Sequence, residues 1–277
     1  MTPGSARWWR ELGIEEPPRI AAPLGAASSS DAPAAKAAMA HASANAPAAA
    51  TNRPAARAAA GAPAPDEATS NAARAAVVDP LRAARIAALE WSDLSAAVDA
   101  CRACALGATR RLSVPGSGDR AAQWLLVGEG PGAEEDQRGL PFVGASGALL
   151  DSMLAALGLQ REESVYIANV VKCRPPANRT PDAVECAACL PFLQRQITLI
   201  QPRIIVAFGL VAAQSLLQTR VNVGSLRGKV HDCAGIPLVV TYHPAYLLRN
   251  QAEKARAWAD LCLAQRTLAG AGQTGQA

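Results

Sequence analysis

Histidine is scarce in this chain, with three residues in 277, and one of them, His41, lies in a stretch with no sign of a packed core. No apolar run reaches the ~20 residues that a membrane-spanning helix needs, and the N-terminus has no apolar signal core, so neither a spanning nor a secreted protein is expected. An organellar transit peptide would share the Ala, Arg and Ser content, but Glu11, Glu15 and Glu16 stand against it. A cytoplasmic location is the expectation. Charge of one sign is also in short supply: 27 Lys and Arg against 23 Asp and Glu leave +4. That excess does not identify a nucleic-acid binder, because only clustered charge makes a strong field. Small clusters stand at Arg110-Arg111, Arg174 with Arg179, Arg227 with Lys229, and Arg249, each in an expected turn or loop.

From about Ala21 to Ala76 there are no aromatic and no sustained branched aliphatic residues, and the stretch is mostly Ala, Pro, Ser and Gly with scattered charge. Such a stretch cannot bury enough apolar surface to offset its ordering entropy, and its prolines interrupt any helix. Ahead of it, Arg7-Trp-Trp-Arg-Glu-Leu-Gly-Ile14 has the spacing of a short amphipathic helix, which could dock on a protein partner through Trp8 and Trp9 or simply stand as a local helix. The expected organisation is therefore a helix within 1–20, a disordered linker over 21–88, a folded domain over 89–270 and a flexible end at 271–277.

In the folded part, apolar β-branched runs alternate with helical spacings. Gln123-Trp-Leu-Leu-Val127, Val165-Tyr-Ile-Ala-Asn-Val170, Arg203-Ile-Ile-Val-Ala-Phe208 and Pro237-Leu-Val-Val-Thr-Tyr242 read as buried strands. Helices are expected from Ser92 to Cys101, from about Ser146 with Leu149, Leu150, Met153, Leu154 and Leu157 on one face, from Leu210 to Leu217 and from Ala252 to Leu268. Another should begin with Thr180 as N-cap and Pro181 at the first helical position, run toward Ile200, and be kinked or divided at Pro191. Strands alternating with helices imply an α/β fold with a mostly parallel sheet covered on both faces.

Each strand run is followed by a short motif: Gly128-Glu-Gly-Pro-Gly132, Asn169, Gly209 and His243-Pro-Ala-Tyr246. In open parallel sheets, ligands sit outside the carboxyl ends of the strands, so these motifs should converge on one pocket. Gly128 to Ala133 is a poor dinucleotide-binding loop, since its third glycine is misplaced, Pro131 removes a donor, and Glu134-Glu135-Asp136 puts carboxylates where a pyrophosphate needs amides. Asn169 offers an amide suited to a heterocyclic base edge, or a turn. Phe142, in the Gly- and Pro-rich Pro141-Phe-Val-Gly144 loop, could stack on a flat ligand or plug the loop. His243, held extended by Pro244, is a credible rigid donor, whereas a structural role is expected for His231.

Seven cysteines in a non-secreted chain point to thiols or metal ligands rather than disulfides. Cys101 and Cys104 form a C-x-x-C pair, Cys173 sits in a loop, and Cys186 and Cys189 compete for a fourth position. Four thiolates can hold zinc or an iron-sulfur cluster, and spacing does not separate the two. Cys233 and Cys262 fit buried apolar positions.

Taken together, Gly128-Glu-Gly-Pro-Gly-Ala-Glu-Glu-Asp136, Pro141-Phe-Val-Gly144, Asn169-Val-Val-Lys-Cys-Arg-Pro-Pro-Ala-Asn178 and His243-Pro-Ala-Tyr-Leu-Leu-Arg-Asn250 resemble the family-4 uracil-DNA glycosylases, in colinear order over roughly Cys101 to Leu263. The resemblance implies a three-layer α/β/α sandwich with a central, mostly parallel four-stranded sheet. It implies hydrolysis of the N-glycosidic bond of uracil in single- or double-stranded DNA, and a structural [4Fe-4S] cluster on Cys101, Cys104, Cys173 and Cys189, with Cys186 a bystander. By the same resemblance, Asn169 would bind the uracil edge, Phe142 its ring, and His243 the developing negative charge, with backbone near Glu129 and Gly130 lining the pocket. Glu135 would shape the pocket against the thymine methyl, and Asn178 or Glu129 would assist water. Leu247 would be the wedge that fills the vacated stack, with Arg227, Lys229 and Arg249 on phosphates. A monomer is expected. The rival readings are a non-catalytic DNA-binding module, built on a metal held by four cysteines and tethered to replication proteins, and a related glycosylase accepting further deaminated bases.

Overall fold

The computed structural model describes residues 79–271. The expected N-terminal helix, its Trp8 and Trp9, the linker as far as residue 78 and the C-terminal end from 272 lie outside the described residues.

The elements run α1 (Pro80–Ala87), α2 (Trp91–Ala100), α3 (Leu106–Thr109), β1 (Ser117–Gly118), β2 (Trp124–Gly128), α4 (Ala133–Arg138), α5 (Ala145–Ala156), β3 (Val165–Asn169), a 3-10 turn (Pro176–Asn178), α6 (Ala183–Ile200), β4 (Ile204–Phe208), α7 (Leu210–Leu217), α8 (Val223–Leu226), β5 (Val230–Cys233), β6 (Ile236–Thr241), α9 (Pro244–Arg249), a second 3-10 turn (Gln251–Glu253) and α10 (Lys254–Ala271). All four expected strands form. They are the parallel centre of a six-stranded sheet of order β1-β3-β2-β4-β6-β5, which two short antiparallel edge strands extend beyond the expected four.

Every residue of β2, β3 and β4 is buried, as in a sheet covered on both faces. Because strand side chains alternate, one face collects Leu125, Val127, Tyr166, Ala168, Ile205, Ala207, Leu238 and Val240 and packs on α2, α6 and α7. The other collects Trp124, Leu126, Val165, Ile167, Ile204, Val206, Phe208 and Val239 and packs on α5 and α10. Three layers follow. The chain leaving β2 crosses one face through α5, and the chains leaving β3 and β4 cross the other through α6 and α7. Their carboxyl ends therefore part and open a crevice.

Three expectations need correction. The linker ends earlier than expected, since α1 is folded: Asp79 caps it by accepting from the Leu81 N–H at 3.0 Å, Pro80 occupies its first turn and Ile86 is buried in the core. The N-cap of α6 is Asp182, not Thr180; Asp182 Oδ1 accepts from Glu185 N–H at 2.8 Å and Glu185 Oε2 from Asp182 N–H at 2.9 Å, a capping box that Thr180 cannot make because the residue three positions on is Ala183. Pro191 does not divide α6, which runs unbroken to Ile200. The proline removes the N–H that the Ala187 carbonyl would accept, and the adjacent Ala188 carbonyl takes a hydrogen bond of 2.7 Å from Arg82 of α1. No helix among the described residues is long and apolar enough to cross a membrane.

The cap assignment has a direct check. Asp182→Ala should lower the urea-unfolding free energy by about 1 kcal/mol, and Thr180→Ala by clearly less.

Candidate active site and cysteine cage

The strand ends do converge. Parallel pairing sets Gly128 opposite Asn169. A Cβ on Gly128 would lie 2.4 Å from Asn169 Oδ1 and 2.7 Å from Phe142 Cζ, so only glycine lets the amide and the ring meet there. Gly209 follows β4 at φ +87, and a Cβ on it would lie 3.2 Å from His243 Cβ. The Phe142 ring stacks on the His243 imidazole, centroids 5.4 Å apart at 25°, and tilts against Phe208 at 6.3 Å. Gly128, Phe142, Asn169, Gly209 and His243 thus form one cluster at the carboxyl edge of the sheet.

Asn169 is 2% exposed and its Oδ1 has no hydrogen-bond partner among the described residues. An unpaired buried acceptor costs on the order of 1–3 kcal/mol, which a ligand donor would recover.

His243 caps α9, its Nδ1 accepting from the Ala245 N–H at 3.1 Å. That bond fixes the tautomer: the neutral ring must carry its proton on Nε2. Burial pushes the imidazole down to about 4; the Arg249 charge lowers it further and Glu135 opposes. At neutral pH His243 is an uncharged Nε2–H donor.

Phe142 holds a positive φ of 52°, a conformation that costs about 1–3 kcal/mol for a bulky residue and persists only when the surroundings impose it. Two residues impose it. Arg161 reaches back from the β3 approach, donating to the Pro141 carbonyl at 2.9 Å and to the Phe142 carbonyl, while pairing with Asp151. Glu135, 8% exposed, accepts from Gly132 N–H at 3.0 Å, Val143 N–H at 3.0 Å and Gly144 N–H at 3.3 Å. Arg161 carried no sequence signal, because its partners are main-chain carbonyls some twenty positions away.

Several expected roles change. With its carboxylate taken by three backbone donors, Glu135 is a brace that ties the Gly128 loop to the Phe142 loop. Glu129 is hydrogen-bonded to the Thr180 side chain, and burial raises its pKa. Asn178, exposed at φ 54°, accepts from Arg174 Nε at 2.7 Å. Gly130 packs at Val171 Cγ2, 2.6 Å from where its Cβ would be. Leu247 is 1% exposed and packed in the core, so it cannot be a protruding wedge; Leu248, 42% exposed, is the outward leucine of α9. Arg227 Nε bonds Asp260 Oδ2 at 2.7 Å inside the protein, so its charge is matched there rather than presented to a phosphate. Lys229 and Arg249 are exposed. His231 bonds the Leu226 carbonyl at 2.7 Å, a structural contact.

On the other side of the sheet, Cys101, Cys104, Cys173 and Cys189 line one small cavity, walled by Val98 and Phe192. Cys186 lies outside that lining. Among the described residues no group of His, Cys, Asp or Glu is drawn together closely enough to hold a metal ion; the four cysteines line a small cavity instead. Donors point at their sulfurs: Arg110 Nη1 to Cys173 Sγ at 2.6 Å, Arg82 Nη2 to Cys101 Sγ at 3.3 Å and Lys172 N–H to Cys189 Sγ at 3.2 Å. Burial pushes the Cys189 thiol up to about 12 and raises Cys173 too, so thiolates there need a bound cation.

Lys172 joins the two sites. It is fully buried, and its Nζ donates to the Asn169 carbonyl at 2.8 Å and to Gln196 Oε1 at 2.6 Å. Arg82, Arg110 and Lys172 were absent from the sequence reading of the site; Lys172 stood inside a motif, but its burial could not be read there.

The chain matches the model of the uracil DNA glycosylase superfamily over residues 115–262. It is 44% identical over 171 residues to a type-4 uracil-DNA glycosylase of Pyrobaculum aerophilum, covering 59% of this chain and 87% of that protein. A type-4 uracil-DNA glycosylase of Thermotoga maritima is 46% identical over 165 residues, covering 59% and 85%. A type-5 uracil-DNA glycosylase of Pyrobaculum aerophilum is 33% identical over 153 residues, covering 50% and 67%.

The geometry around His243 predicts its titration. The folded pKa lies below the ordinary 6.5, so between those values the unfolded chain binds the extra proton. Its contribution to stability is complete above about 6.5 and is lost as pH falls toward 4. The imidazole signals in NMR should titrate near 4, and urea unfolding should weaken more steeply over that window than in His243→Gln; a midpoint near 6.5 contradicts the lowering of the pKa by burial.

Proposed function

The chain belongs to the uracil DNA glycosylase superfamily, in its type-4 group, and we propose that its strand-end cluster receives a uracil flipped out of DNA and hydrolyses the N-glycosidic bond, leaving an abasic site. The observation that carries the reading is the buried Oδ1 of Asn169, without a partner among the described residues, in one cluster with Phe142 and the neutral His243 donor stacked on it. A base buried in a duplex cannot reach such a cluster, so the nucleotide must leave the stack.

Uracil N3–H supplies the donor that Asn169 Oδ1 is missing. Cytosine has an unprotonated N3 and would leave the acceptor unpaired, a penalty that opposes its binding. Phe142 stacks on the pyrimidine ring, held at its costly φ by Arg161 and Glu135. As the bond to the sugar breaks, the sugar gains oxocarbenium character and the base becomes anionic. The His243 Nε2–H then meets charge where it develops, which is where a fixed donor lowers a barrier most. A neutral imidazole suits this role, since it needs no proton exchange with solvent.

Asn178, a neutral amide engaged by Arg174, supports no strong general base, whereas burial raises the pKa of Glu129 despite its Thr180 hydrogen bond, the direction that strengthens a carboxylate base. Stabilisation of the departing base is the main source of rate, and water, with Glu129 as the carboxylate available to assist it, adds to a sugar already largely separated from uracil. Exposed Lys229 and Arg249 suit phosphate contacts, and Leu248 suits the gap left in the stack.

The donor chemistry of the cysteine cage fits a metal centre: four thiols about a void, with cationic and N–H donors on three sulfurs. A void ringed by four thiols supports a polynuclear [4Fe-4S] cluster on Cys101, Cys104, Cys173 and Cys189 over a single zinc ion. The cluster would crosslink α2, the Cys173 loop and α6 as a structural clamp. The type-4 and type-5 relatives alike are named uracil-DNA glycosylases, which supports uracil as the substrate, and the type-4 relatives match at the higher identity.

Asn169→Ala and His243→Ala should each slow single-turnover uracil release from a single-stranded oligonucleotide by about 100-fold or more. Release at the wild-type rate by either variant removes its assignment. Purified protein should be brown with broad visible absorbance, and Cys173→Ala should lose that absorbance together with thermal stability; a colourless wild type loaded with zinc contradicts the cluster.

A further inference from the structure

A ladder of flat groups stands beside the pocket and takes no part in the chemistry above. Tyr242, between β6 and His243, stacks on Tyr246 with ring centroids 5.0 Å apart at 30°. The Arg227 guanidinium lies over the Tyr242 ring at 4.3 Å. Two groups so close cannot share one face of Tyr242, so they flank it in the order Arg227, Tyr242, Tyr246.

The inner rungs are fixed. Arg227 is locked to Asp260, with side chains 11% and 2% exposed, and the Tyr242 hydroxyl bonds Arg256. The outer rung is open: Tyr246 is 37% exposed. Its N–H donates to the His243 carbonyl at 2.9 Å, which sets it one helical turn from the imidazole.

We propose that the outer face of Tyr246 is a stacking subsite for the nucleobase next to uracil in the same strand. This rests on the uracil-excision reading. Flipping uracil out strips its neighbour of a stacking partner, and an aromatic face recovers that contact without regard to base identity. One turn of helix is about 5 Å, a reach that matches the adjacent nucleotide rather than a base across the duplex. The ladder below the ring keeps Tyr246 from yielding, as a platform requires. The guanidinium under Tyr242 adds cation–π support from a charge that Asp260 holds in place.

The test uses the full-length protein and single-stranded oligonucleotides in which the base 5′ or 3′ of uracil is replaced by a tetrahydrofuran spacer. Wild type should lose about tenfold in kcat/KM on one of the two spacer substrates. Tyr246→Ala should lose about as much on the ordinary substrate and nothing further on that spacer substrate, while Tyr246→Phe should behave as wild type. Additive losses, an unaffected Tyr246→Ala or a failing Tyr246→Phe would overturn the subsite. So would a loss in Tyr246→Ala that appears only on duplex DNA and vanishes when the opposite base is removed. Failure of wild type to release uracil from any substrate would instead overturn the excision reading itself.

Discussion

The parallel pairing of β2 with β3 brings Gly128 beside Asn169, and the pocket depends on the hydrogen that Gly128 carries in place of a side chain. A Cβ there would occupy the space in which the Asn169 amide and the Phe142 ring meet. From that close approach the rest follows. Phe142 can take its strained backbone because Arg161 and Glu135 hold both sides of its loop, and its ring can then lie on His243. Costs concentrate at this edge: an unpaired acceptor, a positive-φ aromatic and a histidine kept neutral by burial. Such costs are expected where a fold keeps a surface prepared for a ligand, and the large three-layer core supports them.

A second dependency runs through the sheet. Lys172 stands one residue before Cys173, binds the Cys189 sulfur through its main chain, and through its ammonium holds the Asn169 carbonyl and Gln196. A fully buried ammonium is costly unless matched by acceptors and by negative charge nearby. Thiolates held by a cluster would supply that charge. The cage and the base pocket are thus packed as one unit, in which Gln196 also bonds the Pro115 carbonyl at 2.8 Å. On the proposed cluster reading, an empty cage would loosen Lys172, on which the Asn169 main chain rests.

Much of this was legible in the sequence because the parallel strands are short, uninterrupted apolar runs whose following residues must lie at one edge. Asn169, Phe142 and His243 could be picked out there as polar or aromatic residues with no periodic partner. What escaped was set by contacts distant in sequence. The edge strand Ser117–Gly118 is two residues long and has no pattern. The helix Pro80–Ala87 adjoins an Ala-rich stretch, and its fold depends on Ile86 and Arg82 meeting α6. Leu247 and Leu248 differ by one position, yet helix phase buries one and exposes the other. The bracing bonds of Glu135 could not be read because their three backbone partners come from two separate loops.

The central claim is that the unpaired Asn169 oxygen selects a base that donates from N3. Product inhibition tests it without altering the protein: free uracil and 3-methyluracil differ only at that position. Free uracil should inhibit excision, and 3-methyluracil should inhibit at least about tenfold more weakly, since methylation removes the donor and adds bulk against a buried acceptor. Equal inhibition by the two would contradict the account.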